Sequence, residues 1–190
     1  MKIGYLIIAI VIALGLLFSV KNRARATSSV ENSEKLKDNP YSDLRNMALN
    51  ATRQQLEIKD SPEDYKVFGI VMDWGVGDGT ATLTAFLSGD ASLYLSYGGG
   101  IIGGFAHEKV KQSALNFLRK AQEYLDMTSK TKSTLLPIKN EVKFYFLTDD
   151  GRFVATEEMQ NIKNHSSKWY DLFIEANKVI KELRLLTTDK

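Results

Sequence analysis

The sequence predicts an α+β fold: an N-terminal transmembrane helix followed by a five-stranded antiparallel sheet with three helices, in the order α-βββ-α-ββ-α. Three observations predict it. An uncharged apolar run of eighteen residues opens the chain. Behind it, apolar stripes at helical spacing alternate with runs of period two. Hairpin signals such as Ser88-Gly89-Asp90 and Asp149-Asp150-Gly151 join those runs in antiparallel pairs.

The first element is Ile3 to Val20, IGYLIIAIVIALGLLFSV. As a helix it would cover roughly 27 Å at the standard rise, near the thickness of a thin hydrocarbon core. A cleaved signal peptide is the alternative, because Ala24-Arg25-Ala26 has the A-x-A form of a cleavage site. Against it, Lys21, Arg23 and Arg25 stand where a cleavage region is normally uncharged. The chain therefore divides into an anchor over 1–22, a polar tether over 23–40 and a soluble domain over 41–190. The three cations on the far flank place the carboxy-terminal domain on the cytoplasmic side of a single-pass membrane protein. Between Thr27 and Pro40 only Val30 and Leu36 are large and apolar, so the tether cannot bury enough surface to offset its ordering.

In the soluble domain, Leu44, Met47, Ala48 and Ala51 sit at helical spacing after Ser42 as a cap, and the helix runs to about Leu56. Val67 to Trp74 (VFGIVMDW) is a strand apolar on both sides. Thr80 to Leu87 alternates threonines with Ala81, Leu83, Ala85 and Leu87, and Ala91 to Tyr97 alternates again, which completes a three-stranded meander. The second helix starts near His107 and carries Val110, Ala114, Phe117, Leu118, Ala121 and Leu125 on one stripe. After a loop through Pro137, a strand over Val142 to Leu147 turns at Asp149-Asp150-Gly151 and returns through Phe153 and Ala155. The last helix presents Trp169, Leu172, Phe173, Ala176, Ile180 and Leu183 on one face, capped by Ser166 or Ser167.

This element order resembles the roadblock and longin group of profilin-like folds over residues 41–186. That resemblance implies pairing through a sheet edge or a helix, and hence a possible homodimer. The combination of FGIVMDW, GDASLYLS and GGGIIGG, spanning 67–186, is similar to a family of uncharacterised bacterial proteins. That likeness implies a cytoplasmic domain and adds no catalytic residue.

Composition excludes several chemistries. The chain has no cysteine, so disulfides, thiolate nucleophiles and cysteine-ligated metals are ruled out. Net charge is +2, part of it local at Lys21, Arg23 and Arg25, and the soluble domain has mixed charges throughout, so no nucleic-acid partner is expected. There is no G-x-S-x-G, and Asp73, Asp78 and Asp90 lack the spacing of a calcium loop. His107 and His165 lack companion ligands, so no metal and no cofactor is expected. Asn50-Ala51-Thr52 and Asn164-His165-Ser166 have the form of glycosylation sequons, which matter only in a eukaryotic secretory setting.

The densest motif is SYGGGIIGGFAHEKVKQ, residues 96–112. Gly98, Gly100 and Gly103 satisfy G-x-G-x-x-G, but the preceding strands are hairpin-connected, and no Lys-Ser/Thr follows as in a P-loop. Three readings remain: a tight bend of the chain, a partner-binding flap at Ile101 and Ile102, or an anion site at the start of a helix. The last makes Gly98, Gly99, Gly100, Gly103, Gly104 and His107 the candidate ligand-binding residues, with Asp73 and Ser96 beside them. Asp73 stands out because it interrupts an apolar strand. If it faces inward it needs a partner. The expected function is a membrane-anchored, non-enzymatic module acting through an unidentified protein partner, with an anionic, nucleotide or phosphate site at 98–104 as the alternative.

Overall fold

The computed structural model describes residues 39–59 and 65–188. A seven-stranded antiparallel sheet forms the centre. Helix α1 spans Tyr41–Leu49. Strands β1 (Val67–Val76), β2 (Gly79–Phe86) and β3 (Ala91–Leu95) form the expected meander. The two-residue strand β4 (Gly100–Ile101) and helix α2 (Glu108–Gln122) follow. Next come β5 (Ser129–Lys130), β6 (Glu141–Thr148) and β7 (Gly151–Glu158). Helices α3 (Met159–Lys163) and α4 (Tyr170–Thr188) end the described chain. The spatial order is β4-β3-β2-β1-β6-β7-β5.

The expected fold class is corrected on three counts. Among the described residues the sheet has seven strands where five were expected, four helices accompany it where three were expected beside the N-terminal span, and no described helix is long and apolar enough to cross a membrane. The additional strands have two residues each and α3 has five, too few for any periodicity to register. Helix α4 buries one stripe and carries Lys178, Lys181, Glu182 and Arg184 elsewhere, the pattern of a helix lying on a core. The span expected at Ile3–Val20 lies outside the described residues, as does the tether up to residue 38. The single-pass anchor has no part in the function proposed below.

Strand β1 is buried along both faces, as its continuous apolar run requires. On one face, Ile70, Met72, Trp74, Leu83, Leu93, Phe144 and Phe146 meet α2 and α4 through Phe117, Leu118, Leu172 and Leu183. Trp74 and Phe173 pack edge to face with centroids 5.7 Å apart. The opposite face carries a smaller apolar cluster of Phe68, Val71, Phe86, Tyr145 and Leu147 beneath Ala48 and Leu49 of α1. Thr80, Thr82 and Thr84 are buried as well, so the polar side of β2 is covered rather than solvated.

Helix α1 departs from expectation at both ends. It stops at Leu49, and Asn39 Oδ1 rather than Ser42 accepts the amide of Tyr41, at 3.2 Å. Its buried positions are Tyr41, Arg45, Ala48 and Leu49, and Met47 faces outward. Ahead of α4, Ser167 Oγ accepts from the Trp169 amide at 3.0 Å in the turn that leads into the helix.

Candidate functional site

Asp73 lies at the middle of β1, opposite Thr82 of β2 and Lys143 of β6. It faces α1 and is 0% exposed; Arg45, which meets it from α1, is 5% exposed. Arg45 Nε and Nη2 donate to Asp73 Oδ2 at 2.9 and 2.6 Å. Thr82 Oγ1 donates to Asp73 Oδ1 at 2.6 Å. A hydroxyl has one proton, so in the 2.8 Å bond between Tyr41 and Thr82 the phenol is the donor. Burial works against the Arg45 charge, but the hydrogen-bonded Asp73 carboxylate outweighs it and holds the guanidinium pKa above its ordinary value. Burial raises the Tyr41 pKa, and the bond with Thr82 opposes the shift without cancelling it. Each member of this cluster is bound to another, which leaves no carboxylate or hydroxyl open to a substrate.

The same cluster reaches a strap, residues 131–138, that crosses the sheet between β5 and β6 without regular secondary structure. Arg45 Nη2 donates to the carbonyl of Thr134 at 2.8 Å. Tyr145 OH donates to the carbonyl of Leu135 at 2.7 Å, and Lys143 Nζ to the same oxygen at 3.4 Å. Burial, then the nearby Asp73 charge, raises the Tyr145 pKa, so this donor keeps its proton at neutral pH. At the far end, Glu141 Oε2 accepts from the Ile138 amide at 3.1 Å, and Gly75 O from the Asn140 amide. The main chain is thus pinned from beneath. Its side chains point away: Leu135, Leu136 and Ile138 are 72%, 45% and 73% exposed. A groove of about 500 Å³ beside the strap is lined by Asp78, Thr80, Ser96, Leu136, Pro137 and Lys139.

The glycine motif forms a hairpin and an edge strand. Gly98 and Gly99 have φ of +96° and +85°, which favours glycine, and make the turn between β3 and β4. A Cβ on Gly100 would run into the carbonyl of Leu93 across the ladder. The Gly98 amide donates to Leu95 O, and the Gly103 amide to Ser92 Oγ. Gly104 is buried against Val110 and Leu183. Two of the amides an anion would need are therefore engaged. Glu108 also stands in the first turn of α2, where it opposes an anion at that helix start.

No protein-family model, curated protein or solved structure matches the chain.

Among the expected site residues, the structure brings Asp73 and Ser96 to one face of the sheet. Ser96 Oγ accepts from the Thr80 amide at 2.9 Å and lines the groove by the strap. His107 sits exposed at the start of α2, near Glu182 and Leu185 of α4, with no side-chain cap bond. No group of three or more acidic or histidine residues among the described residues could hold a metal. Arg45, Tyr41, Tyr145 and the strap were missed by sequence reasoning. One signal pointed to them: an acidic residue inside an apolar strand calls for a buried cation.

Proposed function

We propose that this protein is a non-enzymatic interaction module that docks a partner protein on the strap 131–138. The carrying observation is the contrast within that segment. Its carbonyls are held by the side chains of Arg45, Tyr145 and Lys143, while Leu135, Leu136 and Ile138 stand in solvent. Ordering an apolar strip in advance lowers the entropic cost of binding, and exposed apolar clusters with polar rims are typical contact sites. Lys130 and Lys132 are exposed at one end of the strap and Lys139 at the other, so the complementary partner carries apolar side chains flanked by carboxylates. Asp78 lies 3.8 Å from Lys139. This mixed rim disfavours a uniformly anionic polymer.

A photo-crosslinking residue, p-benzoylphenylalanine, placed at Leu135 of the full chain tests the reading in extract of the native cell. The expected result is one discrete adduct, absent when the same residue replaces exposed Asn116 of α2 and weakened by high salt. A second copy of the chain in that adduct would identify a homodimer. Equal, diffuse labelling at both positions would reject docking on the strap. The alternative, an anion site at 98–104, predicts a thermal upshift with phosphorylated metabolites that Gly100→Val abolishes. The engaged amides and Glu108 make it the weaker reading.

A further inference from the structure

A second feature lies on the same side of the sheet but away from the strap. Between α1 and the outer strands runs a cleft of about 640 Å³, within the usual range for small-molecule sites. Its walls are Leu44, Met47, Ala51, Leu56, Phe86 and Tyr94, and among the described residues no charged side chain lines it. Amides of Asn46, Asn50 and Gln55 add uncharged polarity. The informative residue is Tyr94. It is 8% exposed, yet its hydroxyl has no hydrogen-bond partner among the described residues. Its neighbours on this face are bonded: Thr82 to Asp73, Thr84 to Ser92 O, and Ser92 Oγ to the Gly103 amide. Arg152 Nη1 is the only fully buried side-chain nitrogen or oxygen without a partner among the described residues, so the Tyr94 hydroxyl keeps an open approach. Tyr94 thus sets one accessible hydrogen-bonding group on an otherwise apolar wall, where a ligand can take the place of water.

We infer that this cleft binds a small neutral molecule, largely aliphatic, that carries one hydrogen-bonding group met by Tyr94. An anion gains little there, because among the described residues no cation lines the walls and Tyr94 and the amides are the only polar side chains. A bare hydrocarbon would fill the cleft but leave the hydroxyl unpaired. A medium-chain alcohol, or a neutral amide or ester of similar size, satisfies both demands.

The full chain is titrated with diphenylhexatriene, a hydrocarbon fluorophore, and the bound dye is then displaced with 1-decanol. Saturable dye binding, with displacement by 1-decanol, is expected. Tyr94→Phe should weaken 1-decanol about three- to tenfold, the worth of one hydrogen bond, and leave the dye unchanged. Ala51→Asp should abolish both, with folding checked by circular dichroism. Leu135→Asp on the strap should alter neither, so failure here leaves the docking proposal standing. Absence of saturable binding, equal dye binding by Ala51→Asp, or unaltered 1-decanol displacement by Tyr94→Phe would each overturn the inference.

Discussion

One face of the sheet is closed by α2 and α4 mainly through aromatic and aliphatic side chains, with the Gln122 amide bonded to the Val67 main chain at the margin; the other is closed by α1 and the strap over threonines and a buried ion pair. The first face stabilises through area removed from water, which is indifferent to direction. The second includes directional bonds, and those bonds hold one segment of main chain in a set place. The polar face therefore serves geometry more than stability. Buried ion pairs contribute little net stability against apolar replacements, yet are costly when only one partner is lost.

The largest effects separate the two faces. Asp73→Ala strands the Arg45 charge and should cost about 3–5 kcal/mol. Phe117→Ala on the opposite face should cost a similar ~3–5 kcal/mol through the cavity it leaves. Denaturant melts will not tell them apart, but hydrogen exchange will: only Asp73→Ala should speed exchange in the strap. The paired change Arg45→Met with Asp73→Leu sharpens the contrast. Stability should hold or rise by about 1–4 kcal/mol, while exchange in the strap still accelerates. Unchanged strap protection in that double variant would break the comparison.

Smaller changes follow the same logic. A Cβ at Gly75 would collide with the carbonyl of Ile138. Gly75→Ala should cost about 1–3 kcal/mol and reduce crosslinking from Leu135. Tyr145→Phe removes one bond to the strap and should cost about 0.5–1.5 kcal/mol in a chemical melt.

The smallest effect is a pH dependence at the rim of the apolar face. Burial alone would raise the Glu157 pKa, but bonds from Ser167 Oγ, Asn161 Nδ2 and the Glu158 amide outweigh it and hold the carboxyl below its usual range. A depressed carboxyl pKa contributes stability above its unfolded value and loses it as pH falls through the folded one. Melting temperatures should therefore fall more steeply for the native chain than for Glu157→Gln as pH drops below about 4.3, the ordinary glutamate value.

Much of the apolar face was legible. The stripe from Val110 to Ala121 is the buried face of α2, and the alternation of β2 and of β6 appears as drawn. These patterns are periodic, and periodicity is what a single sequence displays. The polar face was not legible, because its logic joins residues far apart. Arg45 and Asp73 are 28 positions apart, and Arg45 and Thr134 are 89. Asp73 announced the need for a partner but not its address. Apolar spacing puts Leu44, Met47, Ala48 and Ala51 on the α1 stripe, whereas the buried stripe is Tyr41, Arg45, Ala48 and Leu49, and an apolar count skips Arg45. The glycine run drew attention as chemistry, yet much of it is required by a turn and a close approach of strands. The docking strap lacks both a motif and a period, and Leu135, Leu136 and Ile138 read as an ordinary loop until their exposure is seen.

The sheet ends at β4 and β5, each two residues long, and β5 has an exposed lysine. Sheets polymerise by adding strands at open margins, and short or charged margins resist that growth. Crowded solutions of this protein should accordingly stay free of fibrils, with encounters diverted to the leucines of the strap.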